Sequence, residues 1–183
     1  MVFPMESFKR DWYKAANLIS LLRLILVGLP VALLLSVPTD DIHRWLAAGA
    51  FLTVALTDVV DGYVARRFNQ VTQWGIFLDP LVDKVLVGAM LIAVSIINPL
   101  LWLVTAFVFI REVVVALQIR SRGKLVAAVW SGKLKMAAQV VMIAAWVMPI
   151  SLWLQVLATV VAVVMTIWSW VDYYDRFVRK EKV

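Results

Sequence analysis

The chain has 183 residues, of which 63% are hydrophobic and only 16% are charged. This balance is too apolar for an ordinary soluble domain and indicates a membrane protein with several spans. The formal charge of +6 comes from basic residues at the ends of apolar segments, so anionic lipid or an anionic substrate is expected rather than nucleic acid. The absence of cysteine excludes disulfides and thiolate metal sites.

The first segment, residues 5–16, mixes aromatic and basic side chains, and we expect a short amphipathic helix lying in the membrane interface. No cleavable signal pattern precedes the apolar segments, each of which is close to the length that spans a bilayer core. We therefore predict an all-α fold, a single membrane domain over residues 1–183. Its six predicted transmembrane helices are 17–37, 45–65, 75–97, 99–119, 132–150 and 151–171.

The connections between these spans differ in charge. Asn98 and Pro99 predict a tight turn between the third and fourth spans, and Pro149 predicts another between the fifth and sixth. His43 is placed in a polar loop between the first two spans. Lys and Arg concentrate before the first span, after the sixth, and in the connections at 66–67 and 120–124. Because cytoplasmic flanks retain positive charge, both termini are expected to be cytoplasmic.

Four aspartates lie inside or beside these apolar segments. Asp58 and Asp61 are three residues apart on the second predicted span, and Asp79 and Asp83 are four apart on the third, so each pair shares a helix face. A carboxylate in lipid costs several kcal/mol unless it faces protein, water or a cation. The short connection makes the two helices antiparallel neighbours, and we expect the four carboxylates to converge.

Such a cluster predicts bound Mg²⁺ or Mn²⁺, because hard divalent cations take oxygen ligands and remove the repulsion between carboxylates. The simpler interpretation is that each acid forms an ion pair, with Lys84 and Arg111 as candidate partners. Two cations cannot satisfy four acids, so ion pairing explains one aspartate better than it explains the set. Beside the acids, Gly62 and Ala65 leave a helix surface without bulk, and Arg66 offers a cation to a phosphate oxygen.

These residues together resemble the signature of the CDP-alcohol phosphotransferases, which is matched without a gap at Asp58, Asp61, Gly62, Ala65, Arg66, Gly75, Asp79 and Asp83. The resemblance implies a six-helix membrane fold, usually homodimeric, in which a CDP-linked lipid or alcohol passes its phosphate-bearing part to an acceptor hydroxyl and releases CMP. It places the active site on the cytoplasmic side, with a bacterial inner membrane as the expected location.

The resemblance also implies a role for each position. Two metal ions are expected, and Asp83 is expected to act as a ligand and as the base that takes the acceptor proton. The other implied metal ligands are Asp58, Asp61 and Asp79. The implied contacts to the CDP group are Asp58, Gly62, Ala65, Arg66 and Gly75.

The acceptor is suggested by a second pattern. Arg111 and Glu112, followed about twenty residues later by SGKLK and then Gln139, resemble the phosphatidylglycerophosphate synthase branch of that family. This resemblance implies CDP-diacylglycerol and glycerol 3-phosphate as substrates, with Arg111, Lys133 and Lys135 contacting the acceptor phosphate. Glu112 and Gln139 would hold or orient these cations. For either lysine alone, ordinary positive charge at the cytoplasmic end of a span is the competing interpretation.

Near the N-terminus, Asn17 and Arg23 partly resemble the corresponding family pattern, and we expect them to support the site. An arginine in an apolar helix requires an acidic or phosphate partner. Two alternatives remain open for the whole chain. The same chemistry could use another acceptor, either phosphatidylglycerol, which would give cardiolipin, or an inositol phosphate. More remotely, intramembrane acids also mark the paths of divalent cation transporters.

Overall fold

The computed structural model describes the backbone of residues 15–67, 73–122 and 130–175, and the side chains of residues 21–57, 81–118 and 130–175. In these ranges the chain is helical, without a strand, which confirms the all-α prediction. The predicted interfacial helix falls almost entirely outside them. The helices are α1 (Ala15–Leu26), α2 (Gly28–Ser36), α3 (Asp41–Arg67), α4 (Gln73–Ile97), a 3-10 helix (Pro99–Leu101), α5 (Trp102–Arg122), α6 (Trp130–Val147) and α7 (Leu152–Tyr174).

The contacts divide the chain into two compact units, Met1–Met90 and Leu91–Val183. The single domain over residues 1–183 stays a prediction. The six predicted spans all coincide with helical segments, although the first is divided into α1 and α2. The number of these helices that cross a membrane also stays a prediction.

In the first unit, α1 and α2 both pack against α3. The division between α1 and α2 follows from Pro30, which has no N–H for the carbonyl of Leu26 and whose ring crowds that carbonyl. On α3 the buried residues Ala47, Ala48, Phe51 and Val54 recur at helical spacing. The two alanines let the neighbouring helices approach closely, and the phenylalanine fills the interior.

The start of α3 corrects the predicted polar loop, because His43 lies in the first turn of the helix. The reason is Asp40, whose carboxylate accepts a 3.1 Å hydrogen bond from the His43 backbone N–H and so caps the helix. The His43 ring nitrogen Nδ1 contacts the same carboxylate oxygen. These hydrogen bonds, the ring contact first, lower the pKa of Asp40 below its ordinary value.

In the second unit, α6 and α7 form an antiparallel hairpin joined by residues 148–151 around Pro149, which confirms the predicted tight turn. From Ser131 to Trp146 along α6, the hydrogen-bonded partner on α7 moves back from Asp172 to Thr159. The turn at Asn98 and Pro99 is confirmed as well, since only Asn98 and the 3-10 helix separate α4 from α5. Near this turn, Ser95 on α4 and Thr105 on α5 share a buried 2.7 Å hydrogen bond.

The hairpin helix α7 reverses the distribution of side chains found in soluble proteins. Thr166 and Ser169 are at most 2% exposed, whereas Leu152 and Trp153 are 65% and 71% exposed. Of the described residues, two segments are long and apolar enough to cross a membrane, Pro99–Gln118 and Leu152–Tyr174. A surface of this kind is unfavourable in water and suits a lipid environment.

Candidate active site

The four aspartates lie on two consecutive helices of the first unit. Asp58 and Asp61 are in the C-terminal part of α3, and Asp79 and Asp83 are in the N-terminal half of α4. Residues 68–72, which connect the helices, lie outside the described residues. Apart from Asp83, the predicted positions of this motif also have side chains outside the described set. These positions are Asp58, Asp61, Gly62, Ala65, Arg66, Gly75 and Asp79.

Asp83 is the one aspartate of this motif whose side chain is described. Its Oδ1 accepts a hydrogen bond from Nη1 of Arg23 on α1 at 3.3 Å. The Arg23 side chain is 2% exposed and that of Asp83 is 27% exposed, so a buried cation is compensated by a carboxylate that solvent or substrate can still reach. Asp83 is therefore an acidic partner of Arg23. Asn17 lies on α1 as well, but its side chain is outside the described set.

Of the four predicted metal ligands, Asp83 belongs to the described side chains. Among the described residues, no three acidic, histidine or cysteine side chains are grouped so that they could hold an ion. Three of the four predicted ligands are outside that set, so their convergence stays a prediction. The donor chemistry fits Mg²⁺ or Mn²⁺, because carboxylate oxygens are the ligands that these ions prefer.

In the second unit, two buried cations converge on one carboxylate. Glu112 Oε1 accepts a hydrogen bond from Nη1 of Arg111 at 2.8 Å and another from Nζ of Lys135 on α6. Arg111 and Lys135 are 5% and 4% exposed. Counted by themselves, the three side chains of the Arg111–Glu112–Lys135 cluster comprise two positive groups and one negative group, a composition that suits an anion.

Arg111 is also held by α7. Its Nη2 donates a 2.9 Å hydrogen bond to Oγ of Ser169, which lies on that helix. Its third guanidinium nitrogen, Nε, is buried and has no hydrogen-bond partner among the described residues. Leaving a buried donor unpaired costs about 1–3 kcal/mol, so an oxygen acceptor placed there would be stabilised.

The chain is similar to known proteins over most of its length. A sequence model described as CDP-alcohol phosphatidyltransferase matches residues 13–168. The chain belongs to the CDP-alcohol phosphatidyltransferase family. A protein of Mycobacterium tuberculosis named "Probable phosphatidylglycerophosphate synthase" is 39% identical over 173 residues, covering 90% of this chain and 81% of that protein. A "CDP-diacylglycerol–glycerol-3-phosphate 3-phosphatidyltransferase" of Escherichia coli is 33% identical over 171 residues, covering 88% of this chain and 93% of that protein.

In this phosphatidyltransferase the predicted acceptor residues have different surroundings. Lys135 is buried in the Arg111–Glu112–Lys135 cluster, whereas Lys133 is exposed on another side of α6. Glu112 contacts both buried cations, and its part in holding them for an acceptor stays a prediction. Gln139 is buried and donates a 3.2 Å hydrogen bond to Thr166 on α7, and its part in supporting the cations stays a prediction.

The α7 residues that accept hydrogen bonds from α5 and α6 were not predicted from the sequence. Ser169 accepts from Arg111, Thr166 accepts from Gln139, and Asp172 accepts a 2.6 Å hydrogen bond from Ser131. A signal was present in this apolar segment, because successive polar residues are separated by four, seven and three positions, at Gln155, Thr159, Thr166 and Ser169. Polar residues at that spacing indicate one polar helix face, which in a membrane protein faces other helices.

Proposed function

We propose that this phosphatidyltransferase transfers the phosphatidyl group of CDP-diacylglycerol to glycerol 3-phosphate, releasing CMP and forming phosphatidylglycerophosphate for phospholipid biosynthesis. Relatives at 33% and 39% identity over most of the chain carry names for this activity or its product. The structural observation that supports this acceptor is the Arg111–Glu112–Lys135 cluster with its unpartnered Arg111 Nε. An acceptor phosphate supplies oxygens of the charge and geometry that such a cluster binds.

In the reaction, an acceptor hydroxyl oxygen forms a bond to the phosphorus of the phosphatidyl group. The phosphorus–oxygen bond to CMP breaks, and CMP leaves with the electron pair. We assign removal of the hydroxyl proton to Asp83, because its carboxylate is partly exposed and is held by Arg23 through Oδ1. This base is effective only when the hydroxyl lies within hydrogen-bond reach.

We further propose that Asp58, Asp61, Asp79 and Asp83 hold two Mg²⁺ or Mn²⁺ ions. When bound, such ions would polarise the phosphorus and stabilise the departing phosphate. Asp58, Gly62, Ala65, Arg66 and Gly75 would bind the CDP group, with the arginine donating to a phosphate oxygen. These assignments rest on the family motif and on the helical spacing of the positions in α3 and α4.

The location proposed for the enzyme is a bacterial inner membrane, with six spans and with the active site and both termini on the cytoplasmic side. The exposed apolar surface of α7 supports contact with lipid, and the distribution of Lys and Arg supports the orientation. We also expect a homodimer. Chemical cross-linking in native membranes would test this, and recovery of monomer alone would contradict it.

The proposed reaction can be tested with purified protein in nanodiscs, supplied with CDP-diacylglycerol, Mg²⁺ or Mn²⁺, and one acceptor at a time. CMP release that depends on glycerol 3-phosphate, together with formation of phosphatidylglycerophosphate, is the expected result. Release of CMP only with phosphatidylglycerol or an inositol phosphate would reassign the acceptor. Divalent cation flux into proteoliposomes without CMP release under any condition would replace the enzyme with a transporter.

A further inference from the structure

Ser169 differs from two other hydroxyl residues of α7, Thr159 and Thr166, in what its oxygen contacts. The hydroxyls of Thr159 and Thr166 donate to the carbonyl oxygen four residues earlier on α7, at 2.8 and 2.7 Å. The Ser169 oxygen instead accepts from Nη2 of Arg111, on a different helix. At 2% exposure this serine is shielded from solvent, and its described contact is with the Arg111 cation.

The contact with Ser169 fixes Arg111 in a way that Glu112 alone cannot. Glu112 is the next residue along α5, so its hydrogen bond with Arg111 joins neighbours on one helix. Ser169 anchors a second nitrogen of the guanidinium to α7. Two anchors on different helices define the plane of a rigid, planar group and therefore the direction of the remaining Nε–H.

We propose that Ser169 is a positioning residue that sets the affinity for the acceptor phosphate by orienting Arg111. This inference rests on the proposed function. The phosphate of glycerol 3-phosphate is remote from the hydroxyl that reacts, so Arg111 contributes equally to binding of substrate and transition state. Losing such uniform binding raises KM for the acceptor and leaves kcat unchanged.

The test is Ser169→Ala in the full-length enzyme in nanodiscs, assayed by CMP release. We expect KM for glycerol 3-phosphate to rise about five- to twentyfold, because an oriented hydrogen bond to a charged group is lost. We expect kcat and KM for CDP-diacylglycerol to stay within about twofold of the parent values. Ser169→Thr, which keeps the hydroxyl, should recover much of the acceptor affinity.

Ser95→Ala is the matched control, because Ser95 is also a buried serine with one side-chain partner, Thr105. It should lower thermal stability without changing KM for glycerol 3-phosphate. Should Ser169→Ala fail to fold, Ser169→Cys replaces the oxygen by a nearly isosteric but weaker acceptor, and the same rise in KM is expected. An unchanged KM in a folded variant, or a fall in kcat alone, would overturn the proposal.

A double-mutant cycle with Arg111→Lys separates action through Arg111 from an independent effect. In the Arg111→Lys background, Ser169→Ala should change KM for the acceptor by less than about twofold. If the two substitutions instead raised KM for the acceptor by factors that simply multiply in the double variant, the positioning role would be overturned. Failure of the proposed function looks different, because the parent enzyme itself would then release no CMP in response to glycerol 3-phosphate.

Discussion

Arg23 and Asp83 form an ion pair between α1 and α4, in which Nη1 of the arginine lies 3.3 Å from Oδ1 of the aspartate. The arginine is buried and the aspartate is partly exposed. This asymmetry suits a carboxylate that is held from the protein side while its substrate approaches from the open side. The ion pair connects Asp83, a residue of the signature motif, to α1, which lies outside that motif.

The first prediction concerns this ion pair. Arg23→Gln should lower kcat about tenfold or more, because a loosely held carboxylate spends less time within reach of the acceptor hydroxyl. It should also lower the free energy of unfolding by about 1–3 kcal/mol, less than for a fully buried pair because solvent reaches Asp83. Arg23→Lys retains the charge and should recover part of both losses.

Arg44→Gln provides the control for this substitution, since Arg44 is a half-exposed arginine in the first turn of α3. Its kcat should stay close to that of the parent. Steady-state kinetics and thermal unfolding in detergent would measure both quantities. A wild-type kcat in Arg23→Gln would show that Asp83 needs no support from α1.

The second prediction concerns metal. A chelator should abolish CMP release, and added Mg²⁺ or Mn²⁺ should restore it, because the four carboxylates repel one another unless cations compensate them. Electron paramagnetic resonance of bound Mn²⁺ gives a readout independent of activity. Asp79→Asn should reduce the bound Mn²⁺, whereas Asp41→Asn, at the exposed start of α3, should not. Full CMP release in the presence of the chelator would show that the reaction does not need a divalent metal ion.

The helices themselves were largely predictable, because apolar length and turn residues such as Pro99 and Pro149 act locally. The division at Leu26 and the helical position of His43 were missed, although Pro30 and the capping Asp40 stand in the sequence. The prediction took each apolar run as one helix and did not use these local signals. The rules for proline and for N-caps would have placed both boundaries.

The contacts between residues distant in sequence were harder to predict. An arginine in an apolar segment predicts that some acid lies near it, but the sequence does not say that Asp83, sixty positions away, is a partner of Arg23. Likewise, Glu112 was expected to hold the cations, whereas the anchor supplied by Ser169 depends on how α5 and α7 pack. Pairings of this kind are set by tertiary structure, which periodicity along one helix does not encode.

The third prediction compares two lysines on α6. Lys135→Met should raise KM for glycerol 3-phosphate about ten- to hundredfold, the effect of losing about 1.5–3 kcal/mol from a charged hydrogen bond. Lys133→Met should raise it about threefold or less, because Lys133 is exposed and its field is weakened by solvent.

Salt provides the control for these two variants. Raising the salt concentration from about 0.05 M to about 0.5 M should shrink the Lys133 effect and leave most of the Lys135 effect, since buried charges are screened less. Equal, salt-sensitive effects of both substitutions would indicate that neither lysine binds the phosphate in a buried site. Kinetics with varied acceptor at saturating CDP-diacylglycerol would provide the measurement.

The fourth prediction concerns orientation in the membrane and uses the natural absence of cysteine, which makes each introduced thiol unique. Thr39→Cys places a thiol at an exposed position between α2 and α3, in the connection expected on the outer side. Ser121→Cys places one near the end of α5, beside the basic residues Arg120 and Arg122. In right-side-out vesicles, a membrane-impermeant maleimide should label the first without permeabilisation and the second only after it.

The physical reason is the cost of moving Lys and Arg across the membrane during insertion, which keeps basic connections cytoplasmic. The cysteine-free parent shows the background labelling. If the two variants reversed their behaviour, the orientation would be inverted and the aspartates would face a compartment without nucleotide-linked lipid. If both were labelled in sealed vesicles, an even number of membrane crossings would separate Thr39 from Ser121, and the six-span arrangement would be wrong.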